Sequence, residues 1–506
     1  MSEANLSQKI TPELAPKPKN LSYYIKSIIG IAIMLFFQYI PAPPPITQPG
    51  MALLGFFIGL VVLWTLVDLV WPTFVAIILF GFIAKDIYPN SWQLAGIYEA
   101  GQQSFGNWIV IFVIGTLLLA HALQKVGTIR RITFWFLTRN FAKKNPWTFT
   151  FMFLLSSLVV GCFLDVTVAQ FFMLFIAHEL FEELGFKKGD HWPKIVIVGL
   201  SFSVIIAFAM TPICHTLPIL WMGILSGMTG EPVNFFSYML VGIPVGFIIW
   251  LIMFFWFRYV VKPDISQFEK VNFDFLNSKK PGPMDKREKW VATVCLLLVI
   301  AWIIPGILSF IAPQSAIVAF MDRITVTTPL LLAIVILAVV RPGGEPLLDL
   351  KEAFANISWT PVVLLAGIMM IAGSMGEATT GIPDWIAQNI VPLASGMSPF
   401  LTIATICILS IILTNIANNV PVGIIFVTVG VPMALSIGLN PVIIGMAVCI
   451  GANLAFTIPP AFVPVGVAYS DPYCAPGTVF RNGVFMTIVS CIVTAILVYP
   501  LSLLFF

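Results

Sequence analysis

Apolar runs of roughly 20 residues, the length that crosses a bilayer as a helix, follow one another along almost the whole sequence, parted by short polar stretches. A backbone surrounded by lipid must satisfy its own hydrogen bonds, and a continuous apolar run does so as a helix. It lacks the alternation of a membrane β-strand. Composition bears on one point only: 10% of the 506 residues are charged, against roughly a quarter in a soluble domain. The expected class is an all-α polytopic membrane protein. The net charge is +3, no basic block or stacking motif is present, and no nucleic-acid partner is expected. The seven cysteines have no metal or disulfide spacing and read as small buried residues.

The runs place spans near 24–41, 50–70, 71–85, 106–124, 194–229, 235–261, 290–312, 327–341, 360–375, 440–470 and 482–505, about eleven crossings. Residues 92–104 read as an interfacial helix. Two further apolar stretches, 147–183 and 398–437, turn back at a polar tip and read as re-entrant hairpins. The domains are a cytoplasmic tail 1–22, a first membrane half 23–261, a cytoplasmic linker 262–289 and a second half 290–506. Lys and Arg mark cytoplasmic loops, and they fill 125–146, 186–194 and the linker, whereas 42–49, 230–234 and 376–397 have none. This sets the N-terminus in the cytoplasm of a multi-pass protein of the inner or plasma membrane. The halves repeat in kind: an interfacial stretch, a Trp (Trp108, Trp359), a Gly/Ala pair (Gly115/Ala120, Gly367/Ala372), a hairpin and a proline-broken span. An odd number of crossings per unit inverts the repeat. Inverted repeats with broken helices in matching places point to a secondary transporter with its site at the repeat interface.

Three constellations can carry chemistry. At the first tip, Gly161 to Thr167, Asp165 is the one carboxylate in the apolar stretch, with Ser156, Ser157, Thr167 and Gln170 nearby. An ionised group at this depth is costly and is by default a functional hypothesis. Asp165 reads as a cation or proton ligand or as the cap of the second hairpin helix. At the second tip, Thr414, Asn415, Asn418 and Asn419 precede Val420-Pro421, a pattern suited to a helix start near Asn419 whose N–H groups favour an anion. The third element is the pair of breaks, Met210-Thr211-Pro212 through His215-Thr216 to Pro218, and Phe456-Thr457-Ile458-Pro459-Pro460. Prolines there free carbonyls for cations. His178-Glu179 lacks the second His of a zinc helix, and Arg130-Arg131 reads as a topology-setting pair.

These tips and breaks resemble the divalent-anion:sodium symporter (DASS) family of the ion-transporter superfamily. That family carries Ser-Asn-Thr at each tip; here Leu164-Asp165-Val166 and Asn418-Asn419-Val420 stand in those places, so Val166 and Val420 replace its hydroxyls. Thr457 and Ile458-Pro459-Pro460 follow its Thr-Pro-Pro signature, reduced in the first half to Thr216-Leu217-Pro218. Trp108 to Arg131 resembles its segment before the first hairpin.

The resemblance implies Na+-coupled symport of a small organic anion, a di- or other carboxylate, by an elevator-type homodimer in lipid, and no enzyme activity. Asn418, Asn419, Val166, Thr167, Thr216 and Pro459 would line the substrate. Asp165, Gly161 and Thr211 would hold one cation, and Thr414 with Thr457 a second, with Na+ placed at Asp165 and Thr414 and H+ as the alternative. A Na+/H+ antiporter or inorganic oxyanion exporter of the same superfamily is the other transport reading; a membrane-embedded enzyme or a channel would need a catalytic cluster or a polar pore face.

Overall fold

A computed structural model describes residues 20–213, 215–229, 235–265, 280–312, 314–389, 392, 396–416, 419–459 and 461–506. Of the expected features, most of the N-terminal tail, linker residues 266–279, Asn418 and Pro460 lie outside the described residues. The protein is an all-α, multi-pass membrane protein, and every regular element among the described residues is helical.

The first half begins with α1 (Leu21–Phe36), α2 (Gln48–Leu66), α3 (Trp71–Ile87), the short α4 (Gly96–Gln103) and α5 (Trp108–Lys125). It continues with α6 (Thr128–Leu137), α7 (Pro146–Gly161), α8 (Val166–Glu183), α9 (His191–Met210), α10 (Thr216–Thr229) and α11 (Phe235–Trp256). The second half holds α12 (Lys286–Ile311), α13 (Ala316–Ile324), α14 (Thr327–Val339), α15 (Leu350–Asn356) and α16 (Thr360–Met375). It ends with α17 (Ile382–Asn389), α18 (Pro399–Thr414), α19 (Asn419–Ser436), α20 (Pro441–Asn453), α21 (Val463–Ser470) and α22 (Pro476–Phe505).

Each expected span carries a helix. Among the described residues, seven helices suffice by length and composition to cross a membrane, or eight if α15 and α16, bent by 76°, form one span. Both stretches read as hairpins are pairs of helices, α7/α8 and α18/α19, of which α7, α18 and α19 are short and apolar. The loops hide more structure than hydropathy shows, since α6, α13, α15 and α17 fall where the sequence reads as connection. The last helix starts at Pro476, ahead of the expected 482.

Local chemistry explains the helix starts. Asn145 caps α7 in a reciprocal capping box with Thr148, and Pro146 follows at the first turn. Ser398-Pro399 and Asn440-Pro441 repeat the cap-then-proline device at α18 and α20. Asp165 caps α8, accepting from the backbone N–H of Thr167 at 2.9 Å and Val168 at 3.4 Å.

The pairing of helices runs in parallel through the two halves. Both arms of the first hairpin pack on α9, and both arms of the second pack on α20. Helices α9 and α20 meet each other, as do α11 and α22. Gly115 of α5 lies against Leu330 of α14, while Gly367 of α16 lies against Thr73 of α3, so the halves exchange partners. Two more glycines occupy matching places: a Cβ on Gly242 of α11 would sit 2.6 Å from Met210 O, and one on Gly483 of α22 would sit 2.3 Å from Phe456 O.

Several connecting segments contact one another. Regions 42–49 and 376–397, both read as external, meet through Thr47 Oγ1 donating to Thr379 O at 2.8 Å. On the opposite face the 125–146 segment meets the linker, with Arg131 clamping Glu288 through Nε–Oε1 at 2.5 Å and Nη2–Oε2 at 2.6 Å. That carboxylate raises the arginine's pKa above its ordinary value. Arg130 pairs with Glu179, so both arginines also hold structure. Apolar side chains such as Leu296 and Leu297 on α12 and Ile28 and Ile29 on α1 stay exposed, as a lipid-facing surface requires.

Candidate functional site

The site is built where each hairpin tip meets the break after it. In the second half the tip is held by one amide. Asn415 Oδ1 accepts from the N–H groups of Phe456 at 2.7 Å and Thr457 at 3.1 Å, and from the hydroxyl of Thr487 on α22 at 2.9 Å. Asn415 Nδ2 donates to Leu454 O at 2.9 Å, and Thr457 Oγ1 donates back to Asn415 O at 2.7 Å. Thr414 Oγ1 donates to Ala452 O at 2.7 Å, and Tyr469 Oη to Thr457 O at 2.6 Å. All these side chains are neutral. Asn419 opens α19, is 3% exposed, and turns its Nδ2 to Asn453 Oδ1 at 3.5 Å. Pro459 is exposed beside them.

In the first half Thr211 Oγ1 donates to Cys162 O at 2.9 Å. His215 is fully buried, with Nδ1 2.6 Å from Thr211 O and Nε2 2.9 Å from Gly161 O. Asp165, His215 and Thr116 line a cavity of about 10 Å³, with Val113, Ile219 and Pro361 among its walls. That is space for a single water-sized particle. Val166 is buried beside Asp165 and Thr167 is half-buried; Thr216 begins α10.

The structure thus gathers Gly161, Asp165, Thr211 and His215 at one junction and Thr414, Asn415 and Thr457 at the other. The junctions adjoin through the rings of Phe208 and Phe462, 5.3 Å apart. Ser157 and Gln170, expected near the tip, instead staple the hairpin to α9, through Ser157 Oγ to Leu200 O at 3.1 Å and Gln170 Nε2 to Ser201 Oγ at 2.7 Å. Ser156 bonds back to its own helix at Phe153 O. His178 pairs with Asp471 at 2.8 Å, and no group of three metal-ligating side chains forms among the described residues. Asn415 is the residue the sequence reading left without a role. Its signal was present, since it is the first amide of the tip and directly follows Thr414.

Buried amides and hydroxyls holding helix breaks within an all-helical multi-pass body define a membrane transporter. Residues 21–504 match the family described as the sodium:sulfate symporter transmembrane region. The chain belongs to that family, and the expected DASS resemblance is borne out: this is a transporter and not an enzyme. It is similar to the sodium-dependent dicarboxylate transporter SdcS of Staphylococcus saprophyticus, with 20% identity over 411 residues, 79% of this chain and 78% of that protein. It is also similar to the Na(+)/citrate cotransporter of Mus musculus, with 26% identity over 249 residues, 44% of this chain and 42% of that protein. Among solved structures, MtrF of Neisseria gonorrhoeae shares the fold with a TM-score of 0.56 at 17% identity, covering 94% of each chain. The YdaH transporter of Alcanivorax borkumensis does so with 0.55 at 13%, covering 89% of this chain and 97% of that one.

Proposed function

We propose that this chain is a Na+-coupled symporter of a small organic anion, a di- or other carboxylate. The unequal chemistry of the two tips carries the reading. The N-terminus of α8 is already occupied, because Asp165 Oδ1 accepts its first N–H groups. The N-terminus of α19 opens on neutral Asn419, and helix N-termini favour anions such as a substrate carboxylate. Asn418 and Asn419 are assigned to the substrate, with Val166, Thr167, Thr216 and Pro459 as its further contacts.

Sodium is a co-substrate. Hydroxyl and carbonyl oxygens of Thr414, Asn415, Ala452 and Thr457 gather at the second junction, and their hydrogen-bond partners among the described residues are neutral. Hard cations take such oxygen sets, and broken helices supply them in transporters. The sodium-dependent relatives support the assignment. The proposed movement is elevator-like, with the hairpins and α9–α11, α20–α22 travelling against α1–α5 and α12–α16. The Asp165 cavity lies on that boundary, since α5 and α16 supply its far wall. The protein works as a homodimer in the inner or plasma membrane, N-terminus in the cytoplasm, with the halves inverted.

Proteoliposomes with an inward Na+ gradient test this, using labelled succinate, citrate and sulfate. Carboxylate uptake should require Na+, fail in K+, and fall at least tenfold in Asn419→Ala. Uptake equal in K+, or uptake of sulfate alone, refutes the reading.

A further inference from the structure

The connection between α5 and α7 spends its charges in two ways. Between Lys125 and Asp165 the sequence holds no Asp or Glu, while Arg130, Arg131, Arg139, Lys143 and Lys144 all fall in that stretch. Two of the arginines serve the fold: Arg130 pairs with Glu179 of α8, and Arg131 with Glu288 of α12. Arg139 and Lys144 do not. Both are exposed, and among the described residues neither pairs with a carboxylate.

Their neighbours are aromatic instead. The Arg139 guanidinium lies over the Trp135 ring at 3.8 Å, and the Lys144 ammonium over the Phe141 ring at 5.7 Å. The rings are themselves bare, Trp135 at 51% exposure and Phe141 at 47%. Helix α6 sets up the first pair: Thr133, Phe134 and Leu137 are buried, with Thr133 Oγ1 against Met173 Sδ of α8, whereas Trp135 and Arg139, one turn apart, stay outside. The chain then turns tightly, Ala142 N–H donating to Arg139 O at 2.9 Å and Lys144 N–H to Phe141 O at 3.4 Å, which keeps the second pair on the same short stretch. The matching connection of the second half, 376–397, has no Lys or Arg, so the arrangement has no twin in the repeat.

A guanidinium stacked on an indole keeps the N–H groups of its planar fork available, and that fork matches phosphate. Helices α5 and α7 both run into the apolar body, so the connection between them lies at a membrane surface, the depth at which Trp settles. A soluble anion would engage the two cations and leave both rings in water. A phospholipid of net negative charge engages all four side chains, with its phosphate on the cations and its glycerol and upper acyl carbons against the rings. We propose that Trp135, Arg139, Phe141 and Lys144 form a seat for an anionic phospholipid in the leaflet that covers this face.

Retention of radiolabelled phosphatidylglycerol by the purified full-length protein in neutral detergent tests this, with unlabelled phosphatidylglycerol, phosphatidylcholine or glycerol phosphate as competitors. Phosphatidylglycerol should compete about twentyfold better than phosphatidylcholine, on the order of fivefold for each cation it meets, and glycerol phosphate should barely compete. Arg139→Gln/Lys144→Gln should erase that preference, and the charge-matched pair Arg341→Gln/Lys351→Gln, exposed between α14 and α15, should keep it. Equal competition by phosphatidylcholine overturns the proposal, as does an unchanged preference in a folded Arg139→Gln/Lys144→Gln protein. An equal loss in the charge-matched pair overturns it too, since net charge alone would then explain the binding. Displacement by glycerol phosphate as effective as by phosphatidylglycerol replaces the lipid with a soluble anion. If Arg139→Gln/Lys144→Gln does not fold, the ranking of the three competitors on the wild type decides.

Discussion

Asn415 and Asp165 are both polar residues at a hairpin tip, yet they answer to different tests. Truncating Asn415 to Ala strands the buried N–H groups of Phe456 and Thr457, each costing about 1–3 kcal/mol. A fall of about 2–4 kcal/mol in stability is expected, read as a lower melting temperature and lost sodium protection. Asp165 is a cap, so Asp165→Ala should cost about 1 kcal/mol while Asp165→Asn keeps the cap. Comparing melting temperatures of the two variants checks this; equal losses would show that charge, not capping, holds the tip. Asp165 was legible in the sequence because a carboxylate in an apolar run is conspicuous. The roles of His215 and Asn415 were not, because their partners lie far along the chain, 54 residues away at Gly161 and 41 at Phe456. No local pattern records such a pairing.

Among the elements, the long spans could be read from hydropathy because a lipid-facing helix must be apolar over its whole length. The short helices could not. Residues 128–137 and 382–389 mix polar and apolar residues as a solvated loop does, and their helicity comes from what they pack against. Close approaches at the breaks were equally hidden, since a glycine in a span gives no sign of what lies opposite. Gly242→Ala and Gly483→Ala should each destabilise by about 1–3 kcal/mol, because the added carbon meets backbone that cannot swing aside. Gly101→Ala, with nothing within 4 Å, is the control and should be neutral or slightly stabilising. Thermal unfolding of the three variants checks the ranking.

For the whole molecule, the repeat was visible in the order of Trp, small pair, tip and break. The exchange of partners between halves was not, because it depends on packing between segments hundreds of residues apart. Two outcomes belong to this scale. In cells, Ala378→Cys should react with an impermeant maleimide from outside, and Lys144→Cys only after permeabilisation; the reverse labelling would invert the orientation. A short bifunctional linker between cysteines at Val113 of α5 and Ile219 of α10, which both line the Asp165 cavity, should stop transport if the frame and the hairpin body slide past each other. Undiminished uptake after complete cross-linking would exclude the elevator movement.

Helix α9 also has a consequence for how the protein is made. Every residue from Ile195 to Met210 is buried, and its neighbours include α20, α21 and α22. A ribosome delivers those helices only over the stretch from about 230 to about 300 residues after Met210, at about 5–20 residues per second. During that interval the side of α9 that α20, α21 and α22 later cover must lie against lipid or a chaperone, while Ser201 and Ser203 are already bonded to Gln170 and Trp250 of the first half. The first half is therefore an unfinished product when it leaves the translocon, and a chain cut before Pro476 should be cleared by proteolysis instead of persisting as a stable half-molecule.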